Sequence, residues 1–368
     1  MARVTVLGAG AGGHAVAAEA AWAGHCVTLA ELPEFGTAIA PLQATRTIEV
    51  LGRGPEPLMA ELDAVSSDVG AAVQGAELIF IVAPCFGHEP MSHACAPHLS
   101  DGQTLVFLGE GSGSLVLRHV LRQTGRRCEL LVGETNSLPY AARLRSPGRV
   151  QATRKRGGTL LAAWPSRRTA ELVARVKPLW PAITPATNVL ETILLNFNAI
   201  DHVATVVCNA GTLETRTTPC LLWGEGASPA VARVIETVDA EILAIRSTLG
   251  FSDRTPYRDF LVAQGLLETP EPSTYEALRK SLLAASVFHC GPQALQFRYI
   301  TEDVPYALVL IADVARVAGV RTPVIDGLVA LASALNGTDY RASGRTLARL
   351  GLGGLDRDAL LKLVSEGD

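Results

Sequence analysis

The chain is poor in the features that mark nucleic-acid, membrane or disulfide-built proteins. Its 32 basic residues are outnumbered by 36 acidic ones, for a formal net charge of −4, so no positive footprint invites DNA, RNA or anionic lipid. Only four lysines occur, Lys155, Lys177, Lys280 and Lys362, and aromatic residues make up 5% of the chain. No apolar run reaches the ~18 residues that span a bilayer. Seven cysteines (Cys26, Cys85, Cys95, Cys128, Cys208, Cys220, Cys290) form no C-x-x-C and cannot all pair. They read as reduced thiols of a cytoplasmic protein. Arg3 and the small residues after it imitate a secretory signal, but His14, Glu19 and a crowd of glycines interrupt the pattern. His88, His93, Cys95 and His98 lie close in sequence without the spacing of a zinc site or of H-E-x-x-H, so no metal is expected. These absences leave small molecules as partners.

What is present is bulk apolar material: 48% of 368 residues are hydrophobic and 18% charged, enough for two domains with their own cores. Residues 3–7 (Arg-Val-Thr-Val-Leu) read as a strand, the Ala-rich stretch from Gly13 to Ala23 as a helix, and Cys26 to Glu31 as a second strand. The alternation continues through Leu78–Ala83, Thr104–Leu108 and Glu129–Val132, each separated by enough chain for a helix. This is the rhythm of a doubly wound, Rossmann-type parallel sheet. Val150–Thr153 and Thr159–Ala163 read as a hairpin around a solvated basic turn, Arg154 to Gly158. A helix is expected from Ser166 to about Leu179, and Pro181 and Pro185 then punctuate the chain. From Val189 onward long helical stretches dominate, Pro229–Leu249 and Val304–Ala318 among them, with Asp356 placed to cap a last helix. The expected fold class is α/β, with a dinucleotide-binding domain over residues 1–188 and a mainly α-helical substrate domain over 189–368.

Gly8-Ala9-Gly10-Ala11-Gly12-Gly13 places G-x-G-x-x-G at the strand-to-helix turn, the context that gives this short motif meaning. Gly8 serves the tight turn, Gly10 the close approach of a pyrophosphate, and Gly13 the packing of helix on strand, with phosphates at the helix N-terminus. Glu31, at the end of the second strand, suits the adenosine ribose hydroxyls and would repel a 2′-phosphate. No arginine follows it until Arg46, which favours NAD while leaving NADP open. Ala83 and Pro84 are expected at the carboxyl edge of the sheet, where cofactor and substrate meet.

A carbonyl or imine that accepts hydride needs a proton donor, and imidazole titrates near neutral pH. His202, in Asn196 to His202 near the start of the second domain, is the candidate, with a structural histidine as the alternative. In Arg298 to Tyr306, Arg298 is suited to clamp a carboxylate, and Asp303 either orients the histidine and stabilises its protonated form or caps a helix. Trp223 reads as core or as a wall of an amine pocket.

Four stretches in order, Gly12-Gly13-His14, Gly133 to Tyr140, the Asn-x-x-x-His of Asn198 and His202, and Arg298 to Pro305, resemble the octopine/opine dehydrogenase family over nearly the whole chain. The resemblance implies reductive condensation of an amino acid or amine with an α-keto acid, NAD(P)H reducing the imine, or the reverse oxidation. It implies His202 and Asp303 as the acid/base pair, Arg298 as a substrate contact, and Thr135 or Ser137 as holders of the keto-acid carboxylate. The chain departs from the family pattern at Ala199 and Val203, where prolines are common, and in the loop Leu108 to Gly113. A ketopantoate or hydroxy-acid reductase has a similar layout but relies on a lysine at the start of the helical domain, and residues 189–211 contain none. A non-catalytic NAD-sensing module is a further alternative. The apolar stretch Ala307–Ala318 reads as core or as a homodimer interface.

Overall fold

The computed structural model describes residues 1–218, 220–285 and 294–368. Two compact units emerge, one of residues 1–155, 159–192 and 364–368, the other of 156–158 and 193–363. The division after Thr192 falls a few residues beyond 188, and the last five residues return to the first unit. They do so because the buried Arg118 guanidinium, together with Arg122, grips the Asp368 side chain.

The first unit is built on an eight-stranded sheet. Its strands are β1 (Arg3–Leu7), β2 (Cys26–Ala30), β5 (Ala64–Ser66), β6 (Leu78–Ile81), β7 (Thr104–Phe107), β8 (Leu131–Thr135), β11 (Leu160–Trp164) and β12 (Thr184–Pro185). The order is β12-β11-β8-β7-β6-β1-β2-β5, parallel except where β11 runs against β8. β6 and β7 are buried at every position, because helices and a second sheet cover both faces: Phe80 and Val106 pack to one side, Ile79, Ile81, Leu105 and Phe107 to the other.

The expected hairpin across residues 154–158 is not there. β10 (Arg149–Arg154) belongs to a separate four-stranded sheet with β3 (Thr47–Leu51), β4 (Leu58–Glu61) and β9 (Tyr140–Ser146), in the order β4-β3-β10-β9. Flanking strands that looked like mutual partners are claimed by others: β10 pairs with β9 and β3, β11 with β8 and β12. Nor is the basic turn fully solvated. Arg154 pairs with Glu19 and donates to the Leu179 carbonyl, and Lys155 donates to Ser137.

The second unit is helical among its described residues. Its long helices are Phe197–Cys208, Pro229–Thr248, Val309–Ala318 and Pro323–Asn336. The 309–318 helix is preceded by a π turn, Val304–Leu308. Most of 307–318 is buried inside this unit, so the stretch is core and offers no apolar face to a second copy. Among the described residues no helix is long and apolar enough to cross a membrane. The six described cysteines form no disulfide with one another, and Cys208 is exposed; Cys290 lies outside the described residues.

Candidate active site

The glycine turn follows β1 directly, and each glycine answers a separate steric demand. Gly8 has φ +106°, and a Cβ there would lie 2.3 Å from the Val82 carbonyl oxygen. At Gly13 a Cβ would lie 1.7 Å from the Gly8 oxygen, closer than any side chain allows. Gly12 sits beneath Val82 and Leu138, whose methyl groups a Cβ would meet at 2.8 and 3.0 Å. Gly10 is different: nothing lies within 4 Å of its missing Cβ, so the backbone is bare there. Gly10 also caps α1 (Ala11–Trp22) without any side-chain hydrogen bond, so no side chain occupies the N–H groups that open the helix. A backbone cradle at a helix N-terminus is what a pyrophosphate requires.

His14 secures this helix start from inside. Its Nδ1 lies 2.9 Å from the Gly10 carbonyl, and its Nε2 accepts from the Gly148 N–H at 3.1 Å, in the turn between β9 and β10. Those partners require the neutral ring with hydrogen on Nδ1, and burial lowers its pKa accordingly. Glu31 stands at the end of β2, accepting from the Ala9 N–H at 2.7 Å and the Leu32 N–H at 2.9 Å. The carboxylate is thus aimed at the turn itself. Ala83 and Pro84 follow β6, the neighbour of β1, at the same carboxyl edge.

The edge continues through the loops after β7 and β8. Thr135 is wholly buried, accepting from the Gly109 N–H at 3.2 Å and facing the Phe107 carbonyl at 3.5 Å, so its hydroxyl ties the two strands together. The adjacent Glu134 is wholly buried as well. It accepts from the N–H groups of Ser112 and Ser114 and from the hydroxyls of Ser114 and Thr192, at 2.6–2.9 Å. It thereby fills the start of the Gly113–Gln123 helix, and burial pushes its pKa up against the pull of those bonds. Ser137 accepts from the Lys155 ammonium at 2.6 Å.

In the helical unit the site grows from one helix and one turn. Asn196 caps the Phe197–Cys208 helix through its side chain, accepting from the N–H groups of Asn198 and Ala199. Ala199, Ile200, Val203 and Ala204 bury one face of that helix and leave His202 8% exposed. His202 Nδ1 lies 2.7 Å from Asp303 Oδ2, and its ring stacks on Tyr299 with centroids 3.5 Å apart and planes 15° apart. A carboxylate accepts only, so Nδ1 carries the hydrogen and Nε2 is the acceptor nitrogen of the neutral ring. The capping role weighed for Asp303 is not seen, since its side chain makes no cap bond to the π turn that follows. π turns interrupt helices most often at functional positions.

Arg298 lies one turn before Asp303, its Nε 3.1 Å from the buried carboxylate of Glu302 and its side chain 48% exposed. Trp223 is core: 2% exposed, it donates to Asp201 Oδ2 at 3.0 Å and stands tilted beside the His202 ring. Asp201 also accepts from the Tyr257 hydroxyl at 2.6 Å, and burial raises its pKa to about 7. Sequence reading missed Tyr299, Glu302 and Asp201 as supports. The Arg298–Glu302 spacing of four residues was the one available signal.

A glycine-lined α/β cradle and a helical unit with a carboxylate-held histidine define a two-domain, nicotinamide-dependent dehydrogenase. Residues 185–336 match the family profile described as NAD/NADP octopine/nopaline dehydrogenase, alpha-helical domain. The opine dehydrogenase of Arthrobacter sp. (strain 1C) is 34% identical over 353 residues, covering 95% of each chain. A solved octopine dehydrogenase, in a complex with NADH and L-arginine, superposes with a TM-score of 0.81 at 19% identity over 98% of both chains. A ketopantoate reductase from Ralstonia eutropha reaches a TM-score of 0.60 at 21% identity, covering 91% of this chain and 98% of its own. The chain belongs to the opine dehydrogenase family. It is an NAD(P)-dependent oxidoreductase of the class acting on CH–NH bonds.

Proposed function

We propose that the protein joins an α-amino acid or amine to an α-keto acid and reduces the resulting imine, NADH serving as hydride donor. The observation that carries this reading is the His202–Asp303 pair at 2.7 Å inside the family's helical domain. Attack of the amine on the ketone gives a carbinolamine, whose hydroxyl leaves as water when a proton is supplied. His202 Nε2 supplies it, while Asp303 fixes the tautomer and balances the imidazolium. A nicotinamide cofactor, when held here, would supply the hydride for the imine carbon. Gly8, Gly10, Ala11, Gly12 and Gly13 would hold its pyrophosphate, with Ala83 and Pro84 on the neighbouring loop. Glu31 would take the ribose hydroxyls and favour NAD over NADP. Arg298, its charge shared with Glu302, takes a substrate carboxylate. Thr135 acts through the strand edge it ties rather than by direct contact, since it is wholly buried.

Six described cysteines without a disulfide among them suit a reducing compartment, and we place the enzyme in the cytoplasm. A homodimer stays part of the reading, although no longer on the strength of residues 307–318. The test is NADH and NADPH consumption with keto acids, each alone and paired with a panel of amino acids and amines. Turnover that needs both organic substrates, faster with NADH, is expected; keto acid alone giving the same rate would return the ketopantoate-type reading. His202→Asn should lower kcat by about 10²–10⁴-fold with NADH affinity unchanged. A non-catalytic sensor predicts no turnover with any pair.

A further inference from the structure

Lys155 is left unused by the chemistry above, yet its position is unusual for a lysine. β1, β6, β7 and β8 are parallel neighbours, so the segments after them share one edge of the sheet, the edge at which ligands of such sheets bind. Ser137, Leu138 and Pro139 follow β8 on that edge, and Leu138 covers Gly12 of the dinucleotide turn. Lys155 is held on this segment twice: its N–H donates to the Pro139 carbonyl at 3.0 Å, and its ammonium donates to Ser137 Oγ at 2.6 Å. The side chain is half-buried, and among the described residues no carboxylate lies within ion-pair distance of it. A neutral hydroxyl is therefore its side-chain partner, and two ammonium hydrogens are left to give. Burial lowers its pKa to about 8, while the field of Glu110, in the loop after β7, raises it.

Desolvating a cation without pairing it costs free energy that a bound anion returns. Opines built from amino acids carry two carboxylates, one from each substrate, and each needs a donor or cation to receive it. We propose that Lys155, positioned by Ser137, binds a substrate carboxylate at the sheet edge. This rests on the imine-reducing reading above. The ligand class is an α-carboxylate, from the keto acid or the amino acid.

The test uses the full-length enzyme with NADH and the variants Lys155→Met and Lys155→Arg. Lys155→Met should raise KM for one acid by about 10–100-fold with kcat little changed, and Lys155→Arg should recover most of the loss. If replacing the amino acid by the matching amine without a carboxylate abolishes the difference between wild type and Lys155→Met, the amino acid is the ligand; if the difference persists, the keto acid is. In wild type, kcat/KM for that acid should fall as the ammonium deprotonates above about pH 8, and this limb should vanish in Lys155→Met. Unchanged KM for both acids, or a loss confined to NADH affinity, overturns the proposal. Should wild type reduce no imine at all, calorimetric titration of pyruvate and of an amino acid into the NADH-loaded protein still decides the matter. Weaker binding of either to Lys155→Met supports the site, and equal binding of both overturns it.

Discussion

At the scale of single residues, the site is a set of buried polar groups whose partners decide their protonation. His202 draws its orientation from Asp303 on one side and from the flat contact with Tyr299 on the other. Asp201, its neighbour in sequence, grips Trp223 and Tyr257 instead, and so braces the wall beside the imidazole. Its folded pKa of about 7 exceeds the 3.8 of a free aspartate, so between about pH 4 and 7 the folded chain holds a proton that the unfolded chain has released. Stability from this group is therefore greatest at acid pH and declines as pH rises through that window. Asp201→Asn keeps an acceptor and removes the titration. Its thermal midpoint relative to wild type should climb by roughly 5–10 °C between pH 4 and pH 7. A constant difference across that range would show that the carboxylate is not held protonated.

At the scale of elements, two helix starts frame the candidate sites, and the fold around them was not equally legible. The strand–glycine–helix unit could be read from residues 3–31 because every part obeys a local rule: β-rich run, glycines at fixed spacing, alanine-rich helix, acidic residue at the next strand end. Pro229–Thr248 and the cap at Asp356, which accepts from the Ala359 N–H, were legible for the same reason. The four-stranded sheet was not. Its strands come from residues 47–61 and 140–154, so nothing local announces that they pair, and the adjacent β10 and β11 invited a false hairpin. His202 and Asp303 were recognisable as candidates, but their contact spans 101 positions and needed the fold to show it. Lys155 was hidden for the opposite reason, a lysine among arginines in a turn that local rules assign to solvent. The second helix start depends on Asn196. Asn196→Ala should cost about 1 kcal/mol of stability and, by loosening the turn ahead of His202, lower kcat more than it alters NADH affinity. Equal loss in both would point to general unfolding; parallel denaturation and NADH titrations separate the two.

At the scale of the molecule, each unit has its own core, so ligands acting on one should be visible as separate thermal events. NADH at a hundred times its Kd stabilises whichever unit holds it by about 2.7 kcal/mol. For a unit of this size that is a shift of roughly 5–10 °C in calorimetry, expected in the α/β transition, with the helical transition moving less. An equal shift of both would mean that the two units melt as one. The wholly buried Glu134 has a bearing on the same ligand. Several helices begin at the carboxyl edge of the sheet, and the one after β7, Gly113–Gln123, differs from α1 in having a wholly buried carboxylate seated on the N–H groups at its start. Glu134 therefore closes that helix start from within, and the donors an incoming anion would seek there are already spent, whereas the start of α1 carries no such internal occupant.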